Sequence, residues 1–189
     1  MTTAEKITDI ESKLVANRTE LVNLIDYVHD QQGHDPAVPL DSSVFLWSQD
    51  SRMVSDFGYD PTVVFGYPNI NPINDVFTAI DVHCGTNLHY IIGYRCPAMS
   101  EVKRTEHIST DVPDFATFGS YTKMGVFLLS GPEAGELTDC HLTINAVDTN
   151  FQLDTLQIFD LDTSGYGGSF MNNLNKPIYF LVLVNVDDL

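Results

Sequence analysis

Basic residues are what this sequence has least of: 9 Lys and Arg stand against 26 Asp and Glu, a formal net charge of -17 at pH 7. That balance argues against binding nucleic acid or an anionic membrane non-specifically, since both need a basic surface. Nineteen of the acidic residues are Asp, which favours turns and loops, so the charge is expected between strands more than along helices. Cysteine is scarce too. Cys84, Cys96 and Cys140 are an odd, small number and not a disulfide framework. Long apolar runs are missing: none approaches the ~20 residues that span a bilayer, so no membrane insertion is expected. The opening "MTTAEKITDI" has no basic stretch leading into an apolar block, so no signal peptide is expected. Nucleotide-binding and nucleophile-elbow signatures (GxGxxG, a Walker loop, GxSxG) do not occur.

The chain has 189 residues, 43% of them hydrophobic, enough for one domain with a real core plus an accessory element. Residues 4–31 read as the one convincing helix, free of Gly and Pro and closed by Gly33 and Pro36. Ile7, Ile10, Leu14, Leu21, Leu24 and Val28 fall at alternating spacings of three and four, with Asn17 in the one remaining place. As heptads, Ile7, Leu14, Leu21 and Val28 take a, and Ile10, Asn17 and Leu24 take d. This is the pattern of a short coiled coil, in which a buried amide fixes register and oligomer number at a cost in stability. The same spacings also suit an amphipathic helix lying on its own domain. The self-association reading makes these seven residues an oligomerisation seam.

After residue 40 the texture changes. "SVFLW", "TVVFGY", "VFTAIDVH", "LHYIIGYR", "MGVFLLSG", "CHLTINAV", "LQIFDL" and "PIYFLVLVNV" recur between Gly, Pro, Asn and Asp clusters. Regular short runs without interleaved helices predict an all-β sandwich or barrel. "CHLTINAV" alternates as a half-buried strand. "PIYFLVLV" is apolar on both faces, hence central or covered by a neighbouring subunit. The expected organisation is an oligomerising helix over 1–31, a linker over 32–43 and an antiparallel, jelly-roll-like β-sandwich over 44–189.

Candidate chemistry is thin. If Gly85-Thr86-Asn87 closes a hairpin, Asp81, His83 and His89 share one face and could hold a divalent metal. Their order matches no known motif, cupins included, and a solvated hairpin face explains them as well. A zinc site from Cys96, His107 and Cys140 lacks paired CxxC spacing. Asp160, Asp162 and Ser164 before Gly165 resemble the start of a calcium loop, but Met171 stands where the closing acid belongs. Glu133 and Glu136 suit a surface turn better than glycosidase chemistry. Arg95, Lys103, Arg104 and Lys123 could form a basic strip that meets an acidic neighbour, or a guarded edge strand. No cofactor is expected.

A short N-terminal coiled coil joined to a β domain resembles the small trimeric virion proteins of bacteriophages: fibres, receptor-binding tips and capsid-decoration proteins. In the short trimeric coiled coils of fibres and adhesins, an Asn at d points inward, and that resemblance gives Asn17 the role of specifying a parallel trimer. The resemblance implies a non-enzymatic homotrimer, assembled in the host cytoplasm into a virion. Its partners would be other virion proteins and a host glycan or receptor. Two other readings stand beside it. One is a carbohydrate-binding sandwich that uses Trp47, Tyr59, Tyr67 or Tyr166 as stacking platforms. The other is a metal-dependent enzyme built on Asp81, His83 and His89.

Overall fold

The computed structural model describes residues 1–31, 43–48, 66–103, 122–144, 147–161 and 168–189. Helix α1 spans Thr3–Ala16 and α2 spans Arg18–Gln31. Thr2 opens α1 with a capping box: its hydroxyl accepts the Glu5 N–H, and the Glu5 carboxylate accepts the Thr2 N–H. Asn17 ends it. The Asn17 backbone N–H and its side-chain amide both donate to the Lys13 carbonyl, at 3.1 and 2.8 Å. The Asn17 carbonyl then accepts the Leu21 N–H and starts α2. Asn17 is therefore the half-buried joint of two helices, not an amide enclosed in a seam.

Strand β1 is Ser43–Ser48 and helix α3 is Ile70–Cys84. The stretch "VFTAIDVH", expected as a strand, belongs to α3. Ile73, Val76, Phe77, Ile80 and Cys84 are buried at helical spacing, and that stripe outweighs the β-branched residues that suggested extended chain. Among the described residues eight further strands follow: β2 Tyr90–Cys96, β3 Ser100–Lys103, β4 Lys123–Ser130, β5 Cys140–Ile144, β6 Val147–Asn150, β7 Leu156–Asp160, β8 Gly168–Asn172 and β9 Ile178–Val184. They form two antiparallel sheets, ordered β1-β2-β9-β4-β7 and β3-β8-β5-β6. The protein is mainly β, as expected, and β2 to β9 pass back and forth between the sheets in a jelly-roll winding.

Three layers result. Tyr90, Ile92, Tyr94, Val126, Leu128, Phe180 and Val182 of the five-stranded sheet meet Cys140, Leu142, Ile144 and Phe170 of the four-stranded sheet in one core. The other face of the five-stranded sheet, with Ile91, Phe127, Leu129, Leu181 and Leu183, packs under the helices in a second core. This explains "PIYFLVLV": β9 lies between β2 and β4 and is covered on both faces within one chain. Ile10, Leu14, Leu21 and Leu24 are fully buried in that second core, with Val28 beside them and Ile7 at its margin. The coiled coil is thus not confirmed. The apolar stripe faces the chain's own sheet and α3, and the widened stripe at Ile25 and Tyr27 belongs to the same packing. Residues 32–42 of the expected linker and most of "TVVFGY" lie outside the described residues.

Candidate functional site

The expected hairpin at residues 85–87 is a 3₁₀ turn between α3 and β2. Asp81 and His83 sit in the last turn of a helix, so His83 and His89 are not cross-strand neighbours. His83, nearly buried, turns toward α1, where its Nε2 lies 2.7 Å from Asp9 Oδ2; Lys13 Nζ donates to the same oxygen at 2.9 Å. The hydrogen bond with His83, and then that with Lys13, hold the Asp9 carboxyl below its ordinary range. This is a polar clasp between α1 and α3. Among the described residues no three His, Cys, Asp or Glu side chains come together as a metal site, so the candidates Asp81, His83 and His89 are not gathered into one.

The thiols are equally unsuited to ligation or attack. Burial pushes Cys84 up to about 12 and Cys140 up to about 11, so both stay protonated. Cys96 is buried, and its thiol donates to the Ser100 carbonyl. Asp160 ends β7, exposed; Asp162, Ser164 and His107 lie outside the described residues. Glu133 and Glu136 form a capping box on the turn Ala134–Asp139, and Glu136 accepts from Lys176 at 2.8 Å. Arg95 pairs in register with Tyr179 and Lys123 with Asp160, at opposite ends of the five-stranded sheet, so these two do not share one strip. The Lys103 side chain and Arg104 lie outside the described residues. Tyr67 is no stacking platform: it is buried, its hydroxyl donates to Glu20 at 2.7 Å, and burial raises it to about 12. Trp47 is half-buried against the helix-side core. Tyr59 and Tyr166 lie outside the described residues.

Among the described residues, two accessible surfaces carry polar side chains. On the outer face of the four-stranded sheet, His141 Nδ1 lies 3.3 Å from Asp148 Oδ2, and Thr143 donates to the same carboxylate at 3.4 Å. Along α1, an open groove of ≈ 430 Å³ is lined by Thr8, Glu11, Ser12, Val15, Ala16 and Asp154. Neither brings a nucleophile, an activated base and a recess together.

The two ends of the sandwich differ, and sequence reasoning gave no sign of this. Inward-facing rows run across the five-stranded sheet as Cys96–Ile178, Tyr94–Phe180–Leu128, Ile92–Val182–Val126–Gln157 and Tyr90–Val184–Met124–Phe159. The four-stranded sheet offers Ser100–Asn172–Cys140, Phe170–Leu142–Thr149 and Ile144–Val147. Phe170 meets Phe180 at 4.7 Å and Tyr94 at 5.6 Å between ring centroids, so the second rows face each other. The first end is sealed by Asn172, fully buried, whose amide donates to the carbonyls of Cys96, Pro97 and Lys176. At the other end lies the Tyr90–Val184–Met124–Phe159 row; the positions that would continue the four-stranded sheet toward it, 106, 146 and 166, lie outside the described residues. There β3 hands on to β4, β5 to β6 and β7 to β8. The described rows are apolar or aromatic apart from Ser100, Asn172, Thr149 and Gln157, and hold no metal-ligand set.

No protein-family model matches the chain, and no curated protein matches it significantly. Among solved structures, a prolyl-4-hydroxylase from Pseudomonas putida aligns over 93% of this chain and 86% of its own, at 10% identity and a TM-score of 0.43. A predicted oxalate decarboxylase from Thermotoga maritima aligns over 52% of this chain and 67% of its own, at 14% identity and a TM-score of 0.32. A cupin-2 domain protein from Rhodospirillum rubrum aligns at 12% identity and a TM-score of 0.32; the chain spans about half of its length, 52%. These likenesses correct the expectation of a phage fibre, receptor-binding tip or capsid-decoration protein: the structures resembled are cupin and hydroxylase proteins, none of them a virion component. Two are described as enzymes, which also removes the basis for expecting a protein without catalytic activity.

Proposed function

We propose that this chain is a cupin-like domain that binds a small molecule at the Tyr90–Met124–Val184 end of its sandwich and acts on it there. The closure of the opposite end and of the outer sheet face supports this reading. The helices cover one face of the five-stranded sheet, the aromatic core fills the middle, and Asn172 seals one end. In closed β architectures the mouth is the usual place for a ligand, and function resides in the connections mounted on the rigid strands. Here Tyr90, Met124, Val184 and Ile144 would form an apolar floor.

The reading is tested by melting the purified full chain in the presence of small carboxylates, phosphorylated sugars and divalent metal salts. At least one class is expected to raise the melting temperature. Met124→Trp, which crowds the end row, is expected to abolish that response while the circular dichroism spectrum stays that of the wild type; Met124→Phe serves if the larger ring prevents folding. A response that survives either folded variant places the site elsewhere, and no response from any class overturns the reading.

A further inference from the structure

We infer that the turn Asn185–Asp187 is a clamp on Thr122 that holds the entry of β4 and the exit of β7 at one point, and so positions the end of the sandwich proposed above as the site. Directly after β9, Asn185 takes the left-handed conformation, φ +67°, while only 5% exposed. Asparagine tolerates that region better than most residues, yet a buried one there has to be held. The N–H groups of Asn185 and Val186 both donate to the Lys123 carbonyl, at 2.9 and 3.2 Å. The Asn185 side-chain oxygen accepts the Thr122 N–H at 3.4 Å, and the Thr122 hydroxyl donates to the Asp187 carboxylate. The Thr122 carbonyl in turn accepts the Leu161 N–H at 2.8 Å. One residue thus ties β9, β4 and β7 together, with its N–H, its hydroxyl and its carbonyl each used.

The inference rests on the proposed site only for its purpose; the clamp is tested without any ligand. Hydrogen exchange of the full chain is compared for wild type, Asn185→Gly, Asn185→Asp and Thr122→Val. Glycine relieves the left-handed backbone but removes the acceptor, so Asn185→Gly is expected to speed exchange at residues 122–124 and 161 by about tenfold. Asn185→Asp keeps an acceptor oxygen and should stay near wild type. Thr122→Val, which loses the hydroxyl, should speed the same amides and leave those of β5 and β8 unchanged. Exchange in Asn185→Gly equal to or slower than wild type would overturn the clamp, as would an Asn185→Asp protein as fast as Asn185→Gly. Should glycine at 185 prevent folding, the contrast between Asn185→Asp and Thr122→Val decides alone. A clamp that holds while no small molecule binds leaves the site reading as the part that fails.

Discussion

The side-chain amide of Asn17 donates to the Lys13 carbonyl at the end of α1, so its replacement removes a cap. Asn17→Ile is expected to cost about 1 kcal/mol, which in a chain of this size lowers the melting temperature by about 2–4 °C. A trimer seam requires the opposite, a rise in melting with a change in mass, and thermal denaturation with light scattering separates the two. The sequence shows that position 17 interrupts an apolar series; it does not show whether the amide is enclosed or ends a helix, because both places favour asparagine. His83 makes a second case at this scale. Its proximity to His89 in sequence suggests a shared face, whereas its partner is Asp9, 74 residues away. The Asp9 carboxyl is held below its ordinary range in the folded protein, so its stabilising contribution is present above the unfolded value, about 3.9, and is lost as pH falls through the folded value. Asp9→Asn should therefore be less stable than wild type near neutral pH and converge with it under strongly acid conditions. Parallel denaturation curves across the acid range check this, and a constant difference at every pH would contradict it.

At the scale of elements, the close approach of α2 to the sheet explains more than any polar contact. A Cβ on Gly93 would lie 2.5 Å from Ile25 Cγ1 and 3.1 Å from Leu46 Cδ1. Gly93 in the middle of β2 therefore admits the helix, although glycine is a poor strand former. Gly93→Ala is expected to destabilise by about 1–3 kcal/mol through overpacking, despite its better strand propensity. Combined with Ile25→Ala, the loss should be at least about 0.5 kcal/mol smaller than the sum of the two single losses. Additive losses in denaturant titrations would mean that the helix does not sit there. Strands with clean alternation or an apolar run were legible: "CHLTINAV" holds β5 and "PIYFLVLV" is β9. Helix α3 was not, because its Val, Ile, Phe and Thr residues suit extended chain, and only the recurrence of buried positions at helical spacing distinguishes it. The N-terminal stripe is legible as an apolar face, while the coiled coil is not confirmed, since heptad spacing is shared by seams between chains and by helices on a sheet.

For the molecule as a whole, the decisive feature is the order in which eight strands wind between two sheets. Composition and spacing predict a sandwich but carry no information on which strand joins which sheet, so the sealed end and the connecting end were not legible. The end row, Tyr90, Met124, Val184 and Phe159, consists of ordinary core residues that composition and spacing do not distinguish. The account stands on that end being the place where a small molecule is taken. Nuclear magnetic resonance titration of the full chain with whichever carboxylate, phosphorylated sugar or metal salt raises its melting temperature tests this most directly. Shifts are predicted to cluster at Tyr90, Met124, Ile144, Leu161 and Val184. Shifts confined to His141, Thr143 and Asp148 on the outer sheet face, or to the α1 groove at Thr8, Ser12 and Asp154, would contradict it.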